Sequence, residues 1–133
     1  MDVPVAVLCD AATQQGGKLN ILGAFDAIVA HDLPVVHPIC TVAVRLVFER
    51  FEAGEHRLRL KIADEDGNEI ASPAELQARC EFPPENDRPF ISQNLILNLQ
   101  RLRFEQPGRY SIDLSVNGKH MATIPLSVIL RRQ

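Results

Sequence analysis

Arg109-Tyr110-Ser111-Ile112-Asp113-Leu114-Ser115-Val116-Asn117-Gly118 is the stretch that decides the fold. Tyr110, Ile112, Leu114 and Val116 alternate with Arg109, Ser111, Asp113 and Ser115, so apolar and polar side chains project to opposite sides of an extended chain. Asn117-Gly118 then supplies the positive φ angles of a two-residue type I′ hairpin, whose twist matches the strands it joins. The partner strand follows at once, with Ile124, Leu126, Val128 and Leu130 on one face.

The same period recurs toward the N-terminus. Leu58, Leu60 and Ile62 alternate with Arg57, Arg59 and Lys61, and Val42, Val44, Leu46 and Phe48 form one face of another run. Gln15-Gly16-Gly17, Glu52-Ala53-Gly54, Asp66-Gly67 and Pro107-Gly108 separate these runs with turn residues. Leu95, Leu97 and Leu99 share one parity while Leu102 and Phe104 share the other. That switch predicts a bulge near Gln100-Arg101 or a strand passing between sheets. The proline-rich stretch from Phe82 to Pro89 is the longest loop, and only Pro73 to Ala78 has helical character, a turn or two at most. About eight strands are expected, near 3–13, 18–32, 38–50, 56–64, 68–82, 91–104, 109–117 and 119–130. The reading is an all-β fold: a two-sheet antiparallel β-sandwich, immunoglobulin-like or C2-like, in a single domain spanning residues 1–133.

One run departs from alternation. Leu19 to Ala30 is apolar on both parities, which predicts burial of both faces, either at a sheet crossing or against a partner chain. Gly23 within it predicts a bend or a close backbone approach.

Composition bounds the rest. The chain has 133 residues, 46% of them hydrophobic and 23% charged, an ordinary globular balance. Scaling laws bury about two-thirds of its surface, enough for a core without metal or disulfide staples. A net charge of −3 gives no overall attraction to nucleic acid or anionic lipid. No apolar run approaches the ~20 residues of a membrane span, so no membrane association is expected. Met1-Asp2-Val3-Pro4 places an acidic residue where a signal peptide carries a basic one, so a cytoplasmic protein is expected. Cys9, Cys40 and Cys80 are odd in number and lack metal-ligand spacing, so they read as reduced core thiols.

Four constellations carry residue types capable of chemistry. Asp64-Glu65-Asp66-Gly67-Asn68-Glu69 is oxygen-rich enough to suggest calcium but lacks the twelve-residue loop spacing, and an Asp-Gly hairpin explains it. His31, His37, His56 and His120 are scattered without metal-ligand intervals. Cys9-Asp10 with a histidine makes a nucleophile and base only on paper, because Cys9 continues the apolar parity of Val3, Val5 and Val7. Arg57, Arg59 and Lys61 make a basic stripe, with Arg45, Arg101 and Arg103 as candidates to widen it. The chain has no Trp and one Tyr to stack bases, so nucleic acid is not expected. No catalytic, metal or cofactor-binding residue is assigned.

Ala6-Val7-Leu8-Cys9-Asp10, Gly17-Lys18-Leu19-Asn20-Ile21-Leu22-Gly23-Ala24-Phe25-Asp26 and Leu33-Pro34-Val35-Val36-His37-Pro38 together resemble a small bacterial family catalogued only as a domain of unknown function. The resemblance runs the full length and extends to Pro107-Gly108-Arg109-Tyr110. It implies a stand-alone bacterial β-sandwich and carries no activity, ligand or catalytic residue. The functional expectation is therefore a non-catalytic cytoplasmic interaction module that binds a protein partner or itself, most simply as a homodimer. The alternative is a small-molecule binder or enzyme with a site in the loops around Asp10, His31 and His37.

Overall fold

In the computed structural model, residues 1–85 and 87–132 are described; Asn86, inside the proline-rich loop, and Gln133 lie outside the described residues. The strands are β1 (Asp2–Gln15), β2 (Lys18–Ala24), β3 (Ala27–Ala30), β4 (Val35–Glu49), β5 (Gly54–Asp64), β6 (Glu69–Cys80), β7 (Phe90–Phe104), β8 (Gly108–Val116) and β9 (Lys119–Leu130), with one 3₁₀ turn at Arg50–Glu52. They form a four-stranded sheet in the order β2-β1-β4-β7 and a five-stranded sheet in the order β3-β9-β8-β5-β6. All pairs are antiparallel except β3 with β9, which is parallel.

The deciding stretch forms β8, and its alternation is realised: Tyr110, Ile112, Leu114 and Val116 are buried. They meet Leu58, Leu60 and Ile62 of β5 and Ile124, Leu126 and Val128 of β9 on the inner face of one sheet. Leu8, Val42, Val44, Leu46 and Phe48 answer from the other, so one cluster fills the space between both layers. Asn117 (φ 53) and Gly118 (φ 80) form the two-residue turn between β8 and β9. At the β7–β8 corner the Tyr110 hydroxyl donates to the Gln106 carbonyl at 2.6 Å, in the manner of a tyrosine corner.

The apolar run from Leu19 to Ala30 crosses between sheets, which makes nine strands where eight were expected. Phe25 N–H still bonds Leu8 of β1 at 3.0 Å, while the carbonyl of the next residue, Asp26, already accepts from Ser127 of β9 at 2.8 Å. Burial of both faces is not found before the crossing: β2 is largely exposed, with Leu22 at 71%. The crossing accounts for Ile28 and Ala30 of β3, which are buried, and not for Ile21 and Leu22 of β2, which are exposed on opposite parities.

Pro73 to Ala78 is extended within β6, where pairing with β5 outweighs the local helical preference. Pro73 is tolerated because β6 is a sheet edge. The parity switch in β7 is made without the expected bulge and without a passage between sheets. Arg101 adopts φ 55 and the buried side changes from Leu99 to Leu102, while the register with β4 continues unbroken on either side. Asp66-Gly67 belongs to a longer loop than a two-residue hairpin, since β5 ends at Asp64 and β6 starts at Glu69.

The β1–β2 hairpin folds back as an arm. β1 pairs with β4 from Asp2 to Cys9, then with β2 from Cys9 to Gln15. The arm's tip returns over the outer face of the four-stranded sheet, where the Gly17 carbonyl accepts from Arg45 Nη1 and Asn94 Nδ2, each at 3.1 Å. Such a face is ordinarily wet. Here Cys9, Thr41 and Ala43 on it are 0–2% exposed, and the arm lies over them.

Candidate functional site

Asp10, His31 and His37 each have a local role. Asp10 stands at the base of the arm, its carboxylate packed against Gly23, whose φ of 68° and lack of a side chain leave that space. His31 Nδ1 lies 2.9 Å from the Arg131 carbonyl, which fixes it as the donor. The His37 ring packs on Phe25 with centroids 5.6 Å apart. Among the described residues no hydrogen bond or ion pair joins these three, and no group of three His, Cys, Asp or Glu side chains is placed to hold a metal ion.

Cys9, Cys40 and Cys80 are buried and unpaired. Burial pushes the Cys40 thiol up to about 11, with the neighbouring Cys9 and Asp10 adding to it, and burial raises Cys9 and Cys80 as well. A raised thiol is a poor nucleophile at neutral pH. Cys9 is buried on the opposite side from the core, under the arm, with Sγ 3.5 Å from the Thr41 carbonyl.

The acidic loop is a self-contained turn. Asp64 Oδ1 accepts from the N–H groups of Asp66 (3.0 Å) and Asn68 (2.9 Å). One carboxylate thus closes its own loop. The basic stripe is not widened: Arg57, Arg59 and Lys61 face outward on β5 in the five-stranded sheet, whereas Arg45, Arg101 and Arg103 belong to β4 and β7 in the other. Arg59 pairs with Glu69 and bonds Ser72, and Arg103 bonds Glu105 at 2.7 Å.

An open concavity of about 630 Å³ lies on that outer face, lined by His56, Arg57, Arg59, Glu75, Gln77 and Asn117 among others. His56 is held in it by a bond at each ring nitrogen. Nε2 donates to the Glu52 carbonyl at 2.7 Å and Nδ1 accepts from Asn117 Nδ2 at 2.9 Å. Charges of both signs line it, giving a polar surface without one electrostatic preference.

The most exposed large apolar side chain stands at one end of the sandwich. Phe51, in the 3₁₀ turn, is 86% exposed. Phe90 at the start of β7 pairs in register with Glu49 and is 42% exposed. The Arg50 guanidinium lies 5.0 Å from the centroid of Phe82, which begins the proline-rich loop. Three of the six phenylalanines thus gather at this end, beside Pro83 and Pro84.

The family of unknown function DUF6941 matches residues 4–129. The chain belongs to this family. No curated protein matches the chain. Among solved structures, a glycosyl hydrolase family 2 member from Bacteroides cellulosilyticus DSM 14838 aligns at TM-score 0.36 and 16% identity, over 74% of this chain and 14% of that one. The DUF6941 domain therefore spans a small fraction of that protein's length.

The phenylalanine end of the DUF6941 domain was not picked out from the sequence. The available signal was Phe51 itself: it follows Phe48 after two charged residues, breaking the alternation of β4, and no core face claims it.

Proposed function

We propose that this DUF6941 domain is a non-catalytic interaction module of the bacterial cytoplasm that binds a protein partner or a second copy of itself. The observation that carries the proposal is Phe51, 86% exposed beside Phe90 and Phe82 at one end of the sandwich. Single exposed apolar residues are common, but two exposed rings beside a half-buried third, Phe82, mark a contact surface, and phenylalanine is enriched where partners meet. The three buried, unpaired thiols and the resemblance to a bacterial family support the compartment and the source.

A photo-crosslinking residue at position 51 in living cells tests the reading. The expected result is a discrete protein adduct that Phe90→Ser weakens several-fold. A saturable thermal shift with a metabolite or metal, and no adduct, would overturn it.

A further inference from the structure

A sandwich with two open sheets has four edges, and each exposes unpaired backbone groups that could recruit another strand. Three of the four are blunted. β3 is only four residues long. β6 carries Pro73, Glu69, Glu75 and Arg79. β2 begins with Lys18 and is bent at Gly23, φ 68. β7 is different: it is 15 residues long, and from Phe90 to Gln100 it contains no Asp, Glu, Lys, Arg, Pro or Gly. Among the described residues its backbone pairs with β4 alone, and no other backbone–backbone bond reaches it.

We infer that β7 is the seam of a two-fold dimer, in which the β7 edges of two copies pair antiparallel and join the four-stranded sheets into one continuous sheet. The inference rests on the interaction-module reading only in choosing one of its two partners. Two features select a second copy over a foreign strand. An uncharged edge offers no charge pattern for a heterologous strand to match, whereas against itself it raises no like-charge opposition in any register. The uncharged run is also centred on Leu95. A two-fold axis there sets Ile96 against Asn94 and Leu97 against Gln93 of the second copy, and it leaves Arg101 and Arg103 beyond the paired segment. Residues facing each other across that axis have the same parity, so inner faces stay inner.

Sedimentation equilibrium of the full chain from about 1 to about 100 µM tests it, a range in which an association of micromolar or tighter affinity is visible. The expected result is a species of twice 14.8 kDa, with β7 amides exchanging more slowly as concentration rises. Ile96→Lys, on the outward face next to the axis, should weaken association at least tenfold with the far-UV spectrum unchanged. Ser92→Lys on the same face is the substitute if that variant does not fold. Phe51→Ser should leave the mass unchanged, so loss of the crosslink at position 51 and loss of the dimer are separable failures. A mass of 14.8 kDa throughout overturns the inference, as does a dimer that survives both lysine variants or is lost in Phe51→Ser.

Discussion

Gly23 and Gly118 show how one backbone conformation can carry two different costs. Their φ angles are 68° and 80°, both left-handed, yet a Cβ at Gly118 meets nothing within 4 Å, while at Gly23 it runs into the Asp10 carboxylate. Gly118→Ala should therefore lose only the left-handed penalty, about 1 kcal/mol. Gly23→Ala should lose that and a further ~1 kcal/mol, part of which Asp10→Ala restores in the double variant. Urea titration of the four proteins checks this, and equal costs at the two glycines would contradict the packing of Asp10. The cysteines make a second prediction at this scale. Burial pushes the Cys40 thiol up to about 11, above its unfolded value, so the folded chain favours the neutral form. The stability this contributes is full below the unfolded pKa of about 8.5 and is lost as pH rises through about 11. The urea midpoint should fall across that window, and Cys40→Ala, though less stable at pH 7, should show a shallower fall.

The arm is the element whose attachment can be tested most directly. Its tip is held where Gly17 meets Arg45 and Asn94, and Arg45 Nη1 also donates to Asn94 Oδ1 at 2.7 Å. Arg45→Ala removes two of these three bonds. Cys9 lies under the arm, and Cys40 and Cys80 lie in the core between the sheets. Native-state alkylation of Arg45→Ala should therefore speed labelling of Cys9 at least tenfold and leave Cys40 and Cys80 slow, as read by peptide mass spectrometry. Equal acceleration at all three sites would mean global loosening instead of a lifted arm. Neither the arm nor the exposed phenylalanine end was legible in the sequence, for a shared reason. Alternation reports which side of a strand is apolar, and it reports well for β5, β8 and β9, whose one wet face is truly wet. On β1 and β4 the second face is also covered, so Cys9 looked like core and is buried outside the core cluster, under the arm. The crossing at Phe25–Asp26 was legible as a choice between a crossing and a partner, because local pattern cannot say which element buries an apolar residue. The position of the switch at Gln100-Arg101 was legible, since parity changes within one strand, but its device was not: one left-handed residue, Arg101, makes it in place of a bulge or a crossing.

At the scale of the whole molecule, the order of assembly follows from sequence separation. The β8–β9 hairpin closes through a two-residue turn, and β5 pairs with β6 across a short loop. These pairings cost little loop entropy. β3 pairs with β9 between Ala27 and Ser127, three-quarters of the chain apart, so its contacts are expected to form after the rest of the five-stranded sheet. Leu114 at the centre of β8 and Ile28 on β3 are both core residues, 0% and 6% exposed, and truncation of either costs about 2–5 kcal/mol. That cost should divide differently between the rates. Leu114→Ala should act mainly by slowing folding, because the β5–β8–β9 layer is structured when the barrier is crossed. Ile28→Ala should leave folding near the wild-type rate and speed unfolding by ten-fold or more. Stopped-flow chevrons at a concentration where the protein is monomeric measure both arms. If Ile28→Ala slows folding as much as Leu114→Ala does, the parallel closure of β3 on β9 is early. The tether through Phe25 and Asp26 would then belong to the nucleus.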